Sequence, residues 1–148
     1  MELQELIQQI VYKNESESIK VYPPATFTDI AIFENRIGCQ LPSDFKDFYL
    51  ICNGFECQED IFNMIQLSDI PNHADYYGTN WFYFSEYMIY SDMWGVRVTA
   101  PNKYEIFAAD VNATVLSSSL HEFLGRFLKG NVFEKDGLYD WLKEFGVK

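Results

Sequence analysis

The order of two textures along the chain is the strongest constraint on its fold. After Gly54 and up to about Thr114, β-branched and aromatic residues cluster in short runs at 61–67, 81–84, 95–99 and 104–108, broken by Asn, Asp, Gly and Pro. Such runs read as strands, and turns this short allow only antiparallel pairing. Ala100-Pro101-Asn102-Lys103 reads as a hairpin turn between the last two. Before and after this stretch the apolar spacing is helical. Leu3, Leu6, Ile7, Ile10 and Val11 form one stripe, which predicts a helix over 2–12. Residues 19–22 then run into Pro23-Pro24 and read as a connector. Thr26 or Thr28 can cap a second helix with Phe27, Ile30, Phe33 and Ile37 on one face and Gly38 as its stop. Ser43 starts a third, whose Phe45, Phe48, Tyr49 and Cys52 face the core, and Asn53-Gly54 ends it. Ser119 and Glu122 have the spacing of a capping box for a helix carrying Leu120, Phe123, Leu124, Phe127 and Leu128, stopped by Gly130. Leu138, Trp141, Leu142 and Phe145 mark a last one. Helices first, about four to six strands in the middle and helices last give an α+β fold with an antiparallel sheet.

At 148 residues, the chain 1–148 is one domain, large enough to bury roughly 68–70% of the surface its unfolded form exposes. Hydrophobic residues make up 48% and charged ones 22%, which is the composition of a globular protein and not of a disordered one. Eleven Lys and Arg stand against 22 Asp and Glu, a formal charge of −11 that repels a phosphate backbone, so direct nucleic-acid binding is not expected. No run is long and apolar enough for a membrane span, and the opening MELQELIQQI lacks the basic start of a signal peptide. The three cysteines, Cys39, Cys52 and Cys57, are too few and odd in number for a disulfide framework, so they read as reduced. The chain therefore reads as cytoplasmic.

A search for catalytic chemistry finds none that the spacing singles out. There is no phosphate-cradling glycine loop, no nucleophile elbow and no histidine pair at metal-binding spacing. His73 reads as solvated loop filler after Pro71, and His121 as an exposed helical residue. Cys52 and Cys57 are not spaced as a zinc knuckle. Asp110-Val111-Asn112 opens like a calcium loop but lacks the further acidic ligand and the glycine. Two of the 22 acids could act as an acid-base pair in a hydrolase, yet no spacing selects them. No catalytic residue, metal or cofactor is expected.

One stretch carries a specific pattern. Ile30, Phe33-Glu34, Ile37-Gly38, Leu41-Pro42, Asp44-Phe45, Phe48 and Asn53-Gly54 describe a helix stopped by glycine, a sharp re-entry at Leu-Pro, and a second helix stopped by Asn-Gly. This resembles the opening signature of the SUKH superfamily, which includes the Smi/Knr-like regulators of glucan synthesis. Later strands and the helix after Ser119 look like the rest of that domain, so the resemblance covers about 26–129. It implies a non-catalytic protein-binding domain. Bacterial members look like immunity proteins that neutralise a cognate toxin, and fungal members like scaffolds for cell-wall synthesis and signalling.

The charge distribution says where such binding would occur. Between Lys46 and Arg97 there is no Lys or Arg, while Asp47, Glu56, Glu59, Asp60, Asp69, Asp75, Glu86 and Asp92 supply eight negative charges and half of the 26 aromatic residues lie there. Carboxylates beside tyrosine and tryptophan suit a basic protein partner, a toxin domain in the immunity reading, because aromatics anchor and the field speeds encounter. Glu56, Glu59, Asp60, Asp75, Tyr76, Tyr77, Glu86 and Asp92 are the expected partner-binding residues. Tyr76 and Tyr77 are consecutive and cannot both point inward from a strand.

Overall fold

The apolar stripes become the buried sides of helices. In the computed structural model, which describes residues 2–15, 18–58, 61–87, 92–110 and 112–146, Leu3, Leu6, Ile7 and Ile10 are the buried residues of α1 (Leu3–Lys13). In α2 (Phe27–Ile37) Thr26 is the cap: its side chain accepts from the Asp29 amide at 3.1 Å while the Asp29 carboxylate accepts from the Thr26 amide at 2.9 Å. Gly38 ends α2 in the left-handed conformation, φ 77°. Phe27 departs from expectation. It sits at the first helical position, ahead of the turn that meets the sheet, and is 75% exposed, so the buried face is Ile30, Phe33 and Ile37 alone.

In α3 (Ser43–Ile51), Phe45, Phe48 and Tyr49 are buried as the spacing requires. Ser43 is the first helical residue and not a cap; its amide donates to Asn102 Oδ1 at 2.7 Å, so the β-hairpin turn satisfies the helix start. In α4 (Leu120–Gly130) half of the expected capping box forms. Ser119 Oγ accepts from the Glu122 amide at 3.3 Å, but the Glu122 carboxylate takes the Ser117 hydroxyl instead of the Ser119 amide. The last helix, α5 (Leu138–Lys143), buries Leu138 and Trp141, and it ends before Phe145, which is exposed.

Among the described residues the sheet has eight strands, more than the four to six expected: β1 (Ile19–Val21), β2 (Phe55–Cys57), β3 (Phe62–Met64), β4 (Tyr77–Gly78), β5 (Trp81–Tyr87), β6 (Asp92–Ala100), β7 (Lys103–Ala108) and β8 (Val115–Ser117). The stretch read as a connector thus contains β1. Strands β1, β2, β3, β4 and β8 hold two or three residues each, too few to show a period of two, and they exist because neighbouring strands give them hydrogen-bonding partners. The order is β1-β2-β3-β5-β6-β7-β8, all antiparallel, with β4 pairing the first residues of β5.

The helices cover one face of this sheet. Phe33 of α2 meets Phe82 edge-on at 4.8 Å, Phe45 of α3 meets Phe84 at 5.1 Å, and Phe127 of α4 stacks on Phe62 at 4.2 Å. Helix α1 packs on α3 and α4, and its end is tied down by polar contacts. Lys13 Nζ donates to the carbonyls of Leu128 and Lys129 at 2.9 and 3.2 Å, and the buried Asn131 Nδ2 donates to Asn14 Oδ1 at 2.9 Å. No described helix is long and apolar enough to cross a membrane.

No disulfide joins Cys39, Cys52 and Cys57. Titration of the unfolded protein, purified without reductant, is expected to find three reactive thiols; a stable internal disulfide would contradict both the structure and a reducing compartment.

Candidate functional site

Strand alternation sends half of the sheet's side chains away from the helices. On β5, Phe82 and Phe84 enter the core and Trp81 and Tyr83 point to the other face; on β7, Tyr104 and Ile106 enter the core and Glu105 and Phe107 oppose them. The register lines these residues into rows. Trp81, Arg97 and Glu105 form one row across β5, β6 and β7, and Tyr83, Gly95 and Phe107 form the next. Beyond a bulge between Tyr83 and Ser85, a third row runs Lys20, Glu56, Asn63, Glu86 and Met93 across β1, β2, β3, β5 and β6.

The first two rows form an aromatic shelf. A Cβ on Gly95 would stand 2.4 Å from Phe107 Cζ, so the absence of a side chain there is what lets the phenyl ring lie across the strand. Trp81 meets Tyr83 edge-on at 5.1 Å, and both rings stand within 6.5 Å of Phe107, which is only 7% exposed although no helix covers it. The Arg97 guanidinium lies 5.6 Å over the Phe107 ring and pairs with Glu105 at 2.8 Å.

The third row carries acid. Glu86 is 9% exposed; Asn63 Nδ2 donates to its Oε1 at 3.0 Å and the Tyr76 hydroxyl donates to its Oε2 at 3.0 Å. The Tyr22 hydroxyl donates to Glu56 Oε1 at 2.7 Å. That bond to a carboxylate, with burial, pushes the Tyr22 phenol up to about 12. Glu56, Glu86 and Asp69 line a cleft of about 30 Å³ together with Tyr22, Asn63 and Gln66. Among the described residues none of these three carboxylates forms an ion pair. Lys20, opposite Glu56 in the ladder, places its ammonium over the Tyr22 ring at 4.9 Å instead.

The segment between β3 and β5 bends over part of this face. Ile70 is buried against β5, and Tyr76 reaches Tyr83 edge-on at 5.9 Å. His73, expected as solvated filler, stacks on Tyr76 at 4.3 Å, because the turns at 70–76 fold the loop back onto the sheet.

The structure therefore gathers Glu56, Tyr76 and Glu86 at one place. Asp75 is exposed on the same segment, and Tyr77, half-buried in β4, pairs with Phe82 and packs against the core, so the two tyrosines turn to opposite faces and Tyr76 takes the uncovered one. Asp92 is on the other side of the sheet: it opposes the buried Tyr87 and accepts from the Tyr139 hydroxyl of α5. Glu59 and Asp60 lie outside the described residues. Trp81, Tyr83, Phe107 and Tyr22 were not anticipated. The alternation within Trp81-Phe82-Tyr83-Phe84 contains the signal for the first two; the pairing that brings Tyr22 to Glu56 joins residues 34 apart and leaves no local trace.

Two other places hold less for a basic partner. A cleft of about 620 Å³ between the α2–α3 turn and the β6–β7 turn is lined by Leu41, Lys46, Asn80, Val98 and Asn102 among others, with no carboxylate. The thiols of Cys39 and Cys52 are poor nucleophiles at neutral pH, since burial pushes Cys52 up to about 11 and burial with the Glu34 charge raises Cys39. No group of three or more His, Cys, Asp or Glu among the described residues is placed to hold a metal.

No curated protein matches the chain. The SMI1 / KNR4 family (SUKH-1) matches residues 24–133, which spans the helical hairpin, all of the sheet except β1, and α4. With three quarters of its length so matched, on a helical hairpin set against an antiparallel meander, the chain belongs to the SMI1 / KNR4 family (SUKH-1).

Proposed function

We propose that this is a non-catalytic protein-binding domain that acts in the cytoplasm by stoichiometric association, as an immunity protein against a toxin whose contact surface is basic. The observation that carries the reading is the uncovered sheet face, where an aromatic shelf adjoins carboxylates that form no ion pair among the described residues. Aromatic side chains bring large contact area at small entropic cost, and an acidic field draws in a basic partner and repels nucleic acid. A regulator of glucan synthesis or signalling, the other role found in the family, needs no such polarity toward a basic partner. A gene for a toxin beside this one would favour immunity.

The reading is tested by capturing the partner from the native host and timing its association. Reversing Glu56, Glu59 and Asp60 together to Lys is expected to slow association by about tenfold or more near 0.1 M salt, since charge on the contact face steers encounter, and thermal unfolding checks that losing the Tyr22–Glu56 bond leaves the variant folded. At 1 M salt, where the Debye length falls from about 10 Å to about 3 Å, the two proteins should associate at similar rates. Equal rates at both salts, or a partner with an acidic contact face, would overturn it.

A further inference from the structure

Helix α2 has a second apolar side that the fold does not use. Ile30, Phe33 and Ile37 are its buried residues, so an amphipathic helix would turn charge to the opposite side. Instead the outward row is Thr28, Ala31, Ile32 and Asn35 with Phe27 beside it, and these five line one shallow depression that contains no charged group. Phe27 is 75% and Ile32 58% exposed.

The charges of α2 stand on the flanks of this row. Positions seven apart share a side of a helix with about 3.6 residues per turn, so Asp29 in the first turn and Arg36 in the last lie on one flank, with Ile32 between them along the axis. Both are exposed, and neither forms an ion pair among the described residues. Asp29 Oδ2 accepts from the Thr26 amide, which leaves its other oxygen for a second partner. Glu34, on the opposite flank, is already held by the Leu41 amide at 2.7 Å and by Lys46 at 3.7 Å.

Such a helix is complementary to itself when turned end for end. A two-fold contact sets a surface against its own copy, and in an antiparallel pair of α2 helices crossing near Ile32, Asp29 of each copy comes opposite Arg36 of the other. A parallel pair would set like charges together. We infer that two copies of this chain dimerise through α2, with Phe27, Ala31 and Ile32 closing over the two-fold axis and the two Asp29–Arg36 pairs fixing the register. One acid balanced by one base does not suit the basic partner drawn to the uncovered sheet face. Because α2 lies on the other side of the sheet, where Phe33 meets Phe82, the dimer leaves both uncovered faces open. One helix face is smaller than the roughly 1,600 Å² of a standard interface, and a charge of −11 on each copy opposes association, so the dissociation constant is on the order of tens of micromolar.

Sedimentation equilibrium of the full chain from about 5 to about 500 μM, in about 0.15 M salt where repulsion beyond about 8 Å is largely screened, should show monomer passing into dimer. Ile32→Glu should stay monomeric throughout, whereas Tyr12→Glu, at an exposed apolar residue of α1, should change the constant by less than about twofold. Arg36→Glu and Asp29→Arg should each weaken the dimer about tenfold or more, since each sets two like-charged pairs across the axis. Mixed in equal amounts, these two variants should form a heterodimer within about threefold of the wild-type constant, because every charge then faces its opposite. Asp29→Arg also makes the chain less acidic, so long-range repulsion alone predicts tighter association where the register predicts weaker. An acid early and a base late complement the dipole of α2 itself as well, a role that mixing two variants cannot restore.

Thermal unfolding checks the fold of each variant. Ile32→Glu and Arg36→Glu touch no cap, so they keep the assignment testable should Asp29→Arg, which gives up half of the capping box, fail to fold. A monomer at about 500 μM, a dimer indifferent to Ile32→Glu, or charge variants whose mixture associates no better than either alone would overturn the assignment. Capture of a partner by the uncovered sheet face is read separately and does not depend on any of these outcomes.

Discussion

Replacing Phe45 by alanine is expected to cost about 3–5 kcal/mol, the range seen when a fully buried phenylalanine is cut back in a core that cannot close over the gap. The gap cannot close here because three rings, two from β5 and one from β7, lean on this one. Phe82, Phe84 and Tyr104 each meet Phe45 edge-on, at 5.9, 5.1 and 5.3 Å. Tyr104 is itself fixed at both ends of a hydrogen-bond chain: its hydroxyl donates to Asp44 Oδ2 at 2.8 Å and accepts from the Leu120 amide at 2.8 Å. It therefore ties the start of α3 to the start of α4 and is not free to swing into the space left behind. Urea unfolding should show a midpoint lowered by more than about 1 M with little change in slope, given slopes of about 1–3 kcal/mol/M for small domains. A loss below about 1 kcal/mol would mean that α3 does not carry the contact between helices and sheet.

Gly54→Ala is expected to be comparably damaging, at more than about 3 kcal/mol, from two causes that add. The backbone stands at φ 89°, outside the range an L-residue adopts without strain, and an added Cβ would lie 2.2 Å from the Met64 carbonyl oxygen. Neither side can yield cheaply. Gly54 accepts from the Tyr22 amide at 3.1 Å, and its neighbour Asn53 accepts from the Leu67 amide at 3.0 Å, so the turn is fastened to β1 on one side and to the chain after β3 on the other. Gly38→Ala is the matched comparison: φ is 77°, but a Cβ there would meet nothing within 4 Å. It should cost about 1–2 kcal/mol, conformational strain alone. Denaturant unfolding of the pair separates the steric part from the strain, and equal losses would show that the close approach to Met64 relaxes.

The elements visible in the sequence are those whose stability has a local component. Helices α1, α3 and α4 have stripes spanning two turns or more, and strands β5, β6 and β7 are long enough to alternate, so their side chains report which face is buried. Strands β1 and β2 have no such record. Lys20 and Glu56 become neighbours only when the chain between them, helical over most of its length, has folded back. The same division runs through the candidate site. Composition pointed to an acidic and aromatic middle, and Glu56, Tyr76 and Glu86 do meet there. Whether a given acid joins them depends on parity along a strand. The bulge between Tyr83 and Ser85 resets that parity within β5, and Asp92 falls on the helix side as a partner for Tyr139. Phe107 is buried, but against Gly95 on the uncovered face, an arrangement that follows from a missing side chain one strand away.

The near-sequential strand order has a kinetic meaning. Every pairing from β5 to β8 joins strands adjacent in the sequence, so closing each costs only the entropy of a short loop. By contrast, α1 packs on α4 across more than a hundred residues, with Asn14 meeting Asn131. The aromatic shelf of the uncovered face, carried by β5, β6 and β7, is thus built on contacts between strands adjacent in the sequence. The first helix, whose burial needs nearly the whole chain in place, docks on the far side, where its arrival or loss leaves the geometry of that face to the hairpins that made it.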